Sequence, residues 1–122
     1  MAVDWVQGPQ RGAAMMLGTG GANRIRSALP QVVAHVVDGG MRLDDAIAAP
    51  RIHIEGADKP NVDFEDRFRG DHRKELLSAF PEATPWQGES MFFGGVHAVR
   101  REARGGMEAA GDPRRAGVAI TT

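Results

Sequence analysis

The chain has 122 residues, with 15 Lys and Arg residues against 16 Asp and Glu residues and a formal net charge of -1. This length suits one domain with its own core and is short for two. The balanced charges exclude the basic face that nucleic-acid binding needs, and the absence of cysteine excludes disulfides and thiolate metal sites. No apolar run approaches the ~20 residues of a membrane span, and no signal-peptide pattern opens the sequence. We therefore expect a soluble chain without a membrane partner, in a compartment that the sequence leaves open.

The first predicted elements are a β-hairpin and a long helix. Two short apolar stretches, residues 2–6 and 13–17, flank a turn that contains Gly and Pro. After a run of glycines, apolar residues recur every three or four positions over residues 25–37. This spacing predicts a helix with one buried face.

The boundaries of this helix are also predicted. Asn23 has a side chain suited to the N-cap, and Gly39-Gly40 is typical of a helix end. Pro30 lies in the second turn, where proline removes a backbone hydrogen bond at a cost of about 3 kcal/mol in a helix interior. We therefore expect either a kink at Pro30 or a helix that becomes regular only after it.

The later predicted elements are shorter and alternate between helix and strand. In chain order they are a helix at 43–48, strands at 51–55 and 61–66, a helix capped by Asp71, and strands at 91–102 and 107–110. Strands outnumber helices, and hairpins are predicted to join most of them. The predicted fold class is therefore α+β, with an antiparallel sheet packed against helices.

The segment Gly18–Asn23 joins the hairpin to the long helix and consists mostly of small residues. Small residues let a backbone approach a ligand closely, and a helix N-terminus adds free N–H groups and partial positive charge. The glycine spacing matches neither a phosphate loop nor a dinucleotide fingerprint. Three interpretations stay open: a bound phosphate or carboxylate, an oxyanion formed in a reaction, and a tight turn without a ligand.

Two stretches far apart in the chain resemble one enzyme family. Residues 17–53, LGTGGANRIRSALPQVVAHVVDGGMRLDDAIAAPRIH, resemble the part of the γ-glutamyltranspeptidase small subunit in which a glycine pair leads through Arg-Ile into a helix and then to Ala-Pro-Arg and a histidine. Residues 94–102 and 105–117, GGVHAVRRE and GGMEAAGDPRRAG, are similar to the strand and the Asp-Pro-Arg-Arg turn that close this subunit. The resemblance covers the whole chain and is weakest over residues 57–89.

The resemblance implies a fold and an activity. The fold is a partial αββα fold of the N-terminal nucleophile hydrolases, with residues 1–122 as a single domain from the C-terminal portion of the small subunit. In this family a threonine freed by self-cleavage attacks the γ-glutamyl amide of glutathione or a related donor, and the acyl group passes to an amino acid or to water. Backbone N–H groups of the glycine pair stabilise the oxyanion, and one such donor is typically worth about 3 to 4 kcal/mol.

The same resemblance implies the site residues. Aligned from the Arg-Ile step, the donor pair falls on Gly21 and Ala22, with Gly20 as the alternative one position earlier. Thr19 and Asn23, beside the pair, are the implied substrate-binding residues. Ala22 departs from the family's pattern, and a left-handed conformation there would be strained.

The chain also lacks residues that the family uses. The nucleophilic threonine and a substrate-holding Ser-Ser pair lie upstream of the glycine turn in the family, and no residue here matches them. Thr121-Thr122 stand at the opposite end, and Thr19 has no neighbouring base in sequence. We therefore expect an enzyme lineage, an inactive isolated chain, and a partner that is the remainder of the enzyme. Two alternatives stay open: a stand-alone module that holds a carboxylate or phosphate at the helix N-terminus, and a fragment that self-associates.

The remaining candidate residues receive structural interpretations. The histidine spacing matches no zinc site, so neither a metal nor a cofactor is predicted. Arg24 is predicted to brace the glycine turn or to pair with an acid, and His53 to hydrogen-bond within the fold. Asp112 is predicted to cap the Asp-Pro turn, and Arg114 to tie the tail to a carboxylate.

Overall fold

Two β-sheets and three helices make up the computed structural model, which describes the backbone of residues 2–7 and residues 12–120 in full. The strands are β1 (Ala2–Gln7), β2 (Ala14–Gly20), β3 (Ile52–Glu55), β4 (Asn61–Glu65), β5 (Thr84–Trp86), β6 (Gly95–Arg101) and β7 (Met107–Ala110). The helices are α1 (Ile25–Val37), α2 (Leu43–Ala48) and α3 (Gly70–Ala79). Short 3₁₀ turns occupy residues 22–24, 91–93 and 113–115.

The larger sheet is antiparallel and has the strand order β1-β2-β6-β7. Its central pairing places Gly20, the last residue of β2, opposite Gly95, the first residue of β6. The smaller sheet has the order β3-β4-β5, in which β3 and β4 are antiparallel and β4 and β5 are parallel. The predicted α+β class is confirmed.

One face of the larger sheet packs against α1 and α2 and forms the core. The core side chains are Met15, Leu17, Val96, Ala98 and Ala110 from the strands and Ala28, Leu29, Val32, Val36, Leu43, Ala46 and Ile47 from the helices. Each large aliphatic side chain buried in this way contributes about 1.5–3 kcal/mol. We call the other side the open face; it is defined by Met16, Gly18, His97, Val99 and Ala109. Met16 and Val99 oppose each other there and are 48% and 44% exposed.

The long predicted helix is confirmed as α1, but its start differs from the prediction. Asn23 is not the N-cap: it lies within the 3₁₀ turn, and α1 begins two residues later, at Ile25. α1 is already regular before Pro30, so the prediction that it becomes regular only after the proline is wrong. Pro30 removes only one hydrogen bond, to the carbonyl of Arg26, and both residues lie on the exposed side where water can replace it. The predicted end is confirmed, with Gly40 at a φ of +64°.

Other predicted boundaries differ in ways that tertiary contacts explain. Asp71 lies in the first turn of α3 rather than at its N-cap, which is Arg69. The predicted strand at 91–102 begins only at Gly95, because residues 91–93 form a 3₁₀ turn and Gly94 redirects the chain at a φ of +83°. The short strand β5 was not predicted. The predicted turn of the first hairpin includes residues 8–11, which lie outside the described residues.

Candidate active site

The backbone between β2 and α1 forms a sharp turn, and we call residues 20–23 the anion turn. Gly21 has a φ of +134° and Ala22 a φ of +52°. Arg24 donates its backbone N–H to the Gly21 carbonyl over 3.0 Å. The first N–H groups of a helical segment have no acceptor within it. Among the described residues, no backbone hydrogen bond of the turns, loops and caps is donated by the N–H group of Gly21, Ala22 or Asn23. These three N–H groups can therefore face a ligand.

The anion turn requires glycine at Gly21 for two reasons. A φ of +134° disfavours any other residue, and a Cβ at this position would lie 3.1 Å from the Cα of Gly94. Gly20 differs, since a Cβ there would meet nothing within 4 Å. Ala22 adopts a left-handed φ despite its methyl group, which costs roughly 1–2 kcal/mol. Such strain persists only where the surroundings hold the backbone, and it is common at functional sites.

The turn lies at one end of a groove on the open face. The groove has a volume of about 610 Å³, and its lining includes Gly20, Gly95, His97 and Arg115. Arg115 covers Gly95 so closely that a Cβ on this glycine would collide with the arginine side chain. Thr19 is only 2% exposed: its hydroxyl donates to the Gly20 carbonyl over 3.1 Å and lies 3.4 Å from the Gly95 nitrogen. The Thr19 hydroxyl therefore forms its hydrogen bonds with the protein backbone.

Aromatic side chains support the turn from the other side. The guanidinium of Arg24 lies over the ring of Phe92, 4.1 Å from its centroid. Phe92 in turn stacks on Trp86, with centroids 4.4 Å apart and planes 15° apart. Arg24 forms no ion pair within 4 Å among the described residues, so the ring rather than a carboxylate braces its charge.

Three side chains link the start of α1 to β3, and we call them the relay: Ser27, His53 and Glu55. Ser27 Oγ lies 2.7 Å from His53 Nδ1, and His53 Nε2 lies 3.3 Å from Glu55 Oε1. The nearby polar side chains of His53 and Asn23 lower the pKa of the Glu55 carboxyl. His53 is 1% exposed, which keeps its ring away from any substrate.

Four buried charges form a second cluster, which we call the charge cluster: Arg51, Glu65, Asp112 and Arg114. Arg114 binds Glu65 with two nitrogens, at 2.9 and 2.5 Å, and reaches Asp112 at 3.2 Å. Arg51 donates to Asp112 over 2.7 Å. Asp112 also accepts the backbone N–H groups of Arg114 and Val96, at 2.9 and 2.7 Å. The cluster pairs two cations with two anions, which is what burial of charge requires.

The electrostatics of the cluster favour the charged form of the Asp112 carboxyl. Burial alone would raise the pKa of the Asp112 carboxyl, but the charge of Arg51 and the two backbone N–H donors outweigh it, and the pKa is lowered. Burial and the nearby charge of Arg114 lower the pKa of Arg51. The Asp112 carboxylate, which is paired with Arg51, still stabilises the charged form of this guanidinium.

The charge cluster also contacts the support of the anion turn. Arg51 donates to the Phe93 carbonyl over 3.1 Å, and Asp112 accepts from Val96 over 2.7 Å. These two bonds hold the segment on either side of Gly94, which lies against Gly21. Sequence reasoning considered Asp112 and Arg114 but missed Arg51, Glu65, Ser27 and Glu55. Arg51 could have been found from the Ala-Pro-Arg motif that it ends, whereas nothing in the sequence marks Glu65 as buried.

The other histidines lie apart from both clusters. His35 is half-buried on α1, while His72 and His97 are exposed. Within residues 12–120, no three His, Asp or Glu side chains are grouped as a metal site would need. No helix in the described part of the chain combines the length and the apolar surface needed to cross a membrane.

Solved structures share this fold. A crystal structure of the Bacillus anthracis transpeptidase enzyme CapD is 25% identical, with a TM-score of 0.77, and the match covers 100% of this chain and 70% of that one. The W525D mutant of the gamma-glutamyltranspeptidase from Pseudomonas nitroreducens is 27% identical, with a TM-score of 0.76, and the match covers 100% and 61%. The protein is therefore an α+β protein of the N-terminal-nucleophile-hydrolase type.

Sequence comparison defines the family within this class. The Gamma-glutamyltranspeptidase family profile matches residues 6–122. Glutathione hydrolase 5 proenzyme of Rattus norvegicus is 33% identical over 109 residues, which are 89% of this chain and 18% of the rat protein. The chain belongs to the gamma-glutamyltranspeptidase family, which confirms the resemblance found in the sequence. It spans less than a fifth of its rat relative.

Proposed function

We propose that the chain is the C-terminal part of a γ-glutamyltransferase or glutathione hydrolase small subunit, and that its anion turn supplies oxyanion-hole donors. The observation that carries the proposal is the strained turn at Gly21 and Ala22, whose N–H groups have no backbone acceptor outside the regular elements of the described residues. Preorganised donors of this kind stabilise charge that develops in the transition state, and losing one typically costs about 10²–10³ in kcat.

In the proposed reaction, a threonine of the remaining enzyme attacks the γ-glutamyl carbonyl. The carbonyl oxygen becomes an oxyanion and accepts hydrogen bonds from Gly21 and Ala22, or from Gly20 in the alternative register. Collapse of this intermediate expels the amine, and the acyl group then passes to an amino acid or to water. Asn23 flanks the donors and is the proposed substrate-binding residue. The Thr19 side chain, which is 2% exposed and donates to the Gly20 carbonyl, is proposed to support the turn from within the protein instead.

The open face supports the proposed partner, the remainder of the enzyme. This face exposes Met16 and Val99, and the groove along it reaches Gly20 at the anion turn. A sheet with one uncovered apolar face favours burial against another layer. A second layer there would bring its own residues to the groove. The solved relatives are longer than this chain, which covers 61% and 70% of them.

An activity assay tests the missing nucleophile. The purified chain is incubated with γ-glutamyl-p-nitroanilide, with and without an amino-acid acceptor, and released p-nitroaniline is measured. We expect no release above background, because the donors alone supply no nucleophile. Turnover specific for the γ-glutamyl group would refute this expectation.

A titration followed by NMR tests the donors themselves. Glutamate, glutathione and phosphate are added separately to the ¹⁵N-labelled chain, and the amide signals of residues 20–23 are followed. We expect glutathione and glutamate to shift these signals. Gly21→Ala should abolish the shifts, because its Cβ would lie 3.1 Å from Gly94 in a backbone with a φ of +134°. Gly106→Ala, in the turn between β6 and β7, is the matched control, because its Cβ would make an ordinary contact 3.7 Å from the Glu102 side chain.

Two results of these measurements would favour the alternatives. A response at residues 20–23 that is restricted to phosphate would indicate a stand-alone anion-binding module. Sedimentation that depends on concentration would indicate self-association through the open face or a strand edge. A monomer that responds to γ-glutamyl compounds supports the enzyme role.

A further inference from the structure

The anion turn and the residue that follows it contact one short segment of chain, residues 92–94. Within the turn, Gly21 lies against Gly94: a Cβ on Gly21 would be 3.1 Å from the Gly94 Cα. Directly after the turn, the Arg24 guanidinium lies over the ring of Phe92, 4.1 Å from its centroid. Arg24 also closes the turn, because its backbone N–H donates to the Gly21 carbonyl over 3.0 Å. The segment therefore contacts the backbone on both sides of the left-handed residue of the turn, and such a conformation persists only where its surroundings hold it.

The Phe92 ring is the partner that the structure gives to the Arg24 charge. Among the described residues, the Arg24 guanidinium forms no ion pair within 4 Å, and its Nε is buried without a hydrogen-bond partner. A guanidinium within about 6 Å of a ring centroid is attracted to the negative face of the ring. We therefore expect the aromatic face of Phe92, and not only its apolar volume, to hold Arg24.

The Phe92 ring is itself fixed by a second aromatic side chain. Trp86 stacks on it, with centroids 4.4 Å apart and planes 15° apart. The Trp86 indole donates to Asp63 Oδ1 over 2.9 Å, and Asp63 belongs to β4, so the stack is tied to the smaller sheet. The Phe92 backbone N–H donates to the Ser90 hydroxyl oxygen over 3.2 Å. These contacts orient the ring without any ligand.

The segment is buried on one side of Phe92 and accessible at Phe92 itself. Phe93 is 2% exposed, and its carbonyl accepts from Arg51 over 3.1 Å. Gly94 has a φ of +83°, and a Cβ there would lie 3.2 Å from the Gly20 carbonyl oxygen, so this close approach requires glycine. Phe92 is only half-buried. It can therefore be substituted without opening the core, which makes its contact with the turn testable.

We propose that Phe92, stacked on Trp86, is a positioning residue: its ring holds Arg24 and thereby keeps the N–H donors of the anion turn arranged for an anion. This inference rests on the proposed function, because the arrangement matters only if the turn donates to an anion. Phe92 does not contact the reacting atoms in this account and acts through Arg24. Donors that are arranged in advance need no reorganisation when charge arrives.

Amide hydrogen exchange tests the holding role without any ligand. Phe92→Leu keeps an apolar side chain but removes the aromatic face, and we expect it to lower the protection of the Arg24 N–H about fivefold. Phe92→Tyr keeps the aromatic face and should retain protection. Phe68→Leu is the matched control, because Phe68 is also half-buried and its ring contacts Phe64, at a centroid distance of 6.4 Å. Unchanged protection in Phe92→Leu would mean that apolar packing suffices, and it would overturn the inference.

Glutathione titration of the same variants connects the ring to the proposed function. Phe92→Leu should weaken the response of residues 21–23 about fivefold, while Phe92→Tyr should respond like the unmodified chain. Arg24→Met removes the cation, so adding Phe92→Leu to it should have little further effect. A loss that is equally large with Arg24 and with Met at this position would show that the ring does not act through the guanidinium, and this result would also overturn the inference.

The outcomes separate the two proposals. If the unmodified chain responds to glutathione and Phe92→Leu behaves like Phe68→Leu in exchange and in binding, the inference alone is wrong. If residues 21–23 of the unmodified chain respond to no anion, the proposed function fails, and the positioning role fails with it. Thermal unfolding shows whether a loss is local to the turn. Should Phe92→Leu not fold, Arg24→Met tests the same contact from the other side, and unchanged protection of its residue 24 N–H would refute the holding role.

Discussion

Replacing Asp112 by asparagine should destabilise the chain strongly. Its carboxylate is 0% exposed and accepts four hydrogen bonds, two from the side chains of Arg51 and Arg114 and two from backbone N–H groups. Asparagine has nearly the same shape, so little packing is lost. It offers one acceptor oxygen instead of two and carries no charge. The substitution therefore leaves the guanidinium of Arg51, which is 2% exposed, without its ion-pair partner.

The size of the effect follows from the burial of this pair. Breaking a buried ion pair by removing one partner costs about 3–5 kcal/mol, since the remaining charge stays buried without compensation. Arg51 keeps its bonds to the Ile47 and Phe93 carbonyls, which favours the lower part of this range. A domain of this size has a total stability of about 5–15 kcal/mol. The variant should therefore lose a large fraction of its free energy of unfolding.

Urea denaturation followed by tryptophan fluorescence and by circular dichroism measures this loss. The matched control is Asp44→Asn, which removes the carboxylate of the exposed Arg42–Asp44 pair at 3.2 Å. Exposed pairs contribute little, so the control should have the midpoint of the unmodified chain. A loss below about 1 kcal/mol for Asp112→Asn would refute the reasoning, because it would mean that water or another group already compensates Arg51.

Two further predictions concern the strained backbone and acid. Ala22→Gly should raise the free energy of unfolding by about 0.5–1 kcal/mol in the same urea assay, because glycine adopts a φ of +52° without strain. Ala116→Gly, at a φ of +50°, is the matched comparison. A loss of stability in both variants would contradict the strain argument. The folded-state pKa of Asp112 is lowered, so its contribution is present above the unfolded pKa of about 3.9 and is lost as the pH falls through the folded value. Below about pH 4 the urea midpoint of the unmodified chain should therefore fall more steeply than that of Asp112→Asn, and parallel curves would argue against this contribution.

The elements that the sequence predicted well depend on local patterns. α1 follows from its apolar period, and α2 was predicted with its exact bounds because Pro50 ends it. The start of α1 was not predictable from local rules. Asn23 is a favourable N-cap residue in any helix, but here it lies inside the 3₁₀ turn that begins at Ala22, so α1 starts only at Ile25. β5 is three residues long and contains Pro85, so its strand conformation depends on pairing with β4.

The candidate site also has one part that the sequence predicts and one part that it does not. The anion turn was predictable, because glycines before a helix are a local signal and the family motif fixes their position. The charge cluster was not, because alternation in β4 makes Asp63 and Glu65 look like residues on a solvated face. Both are buried, Asp63 by a bond from the Trp86 indole at 2.9 Å and Glu65 by Arg114, 49 positions away. Burial of a charge depends on its partner, and partners distant in sequence leave no pattern in a short window.

Two clusters of side chains hold the segments that flank the anion turn. The relay on β3 holds the start of α1 through Ser27, while the charge cluster holds the segment around Gly94, which lies against Gly21. Neither support includes the nucleophile that the family uses. If the turn serves as an oxyanion hole, its donors are therefore arranged within this chain before any catalytic threonine approaches. Donors fixed in this way need no reorganisation when the charge develops, and this is why they stabilise a transition state more than water does.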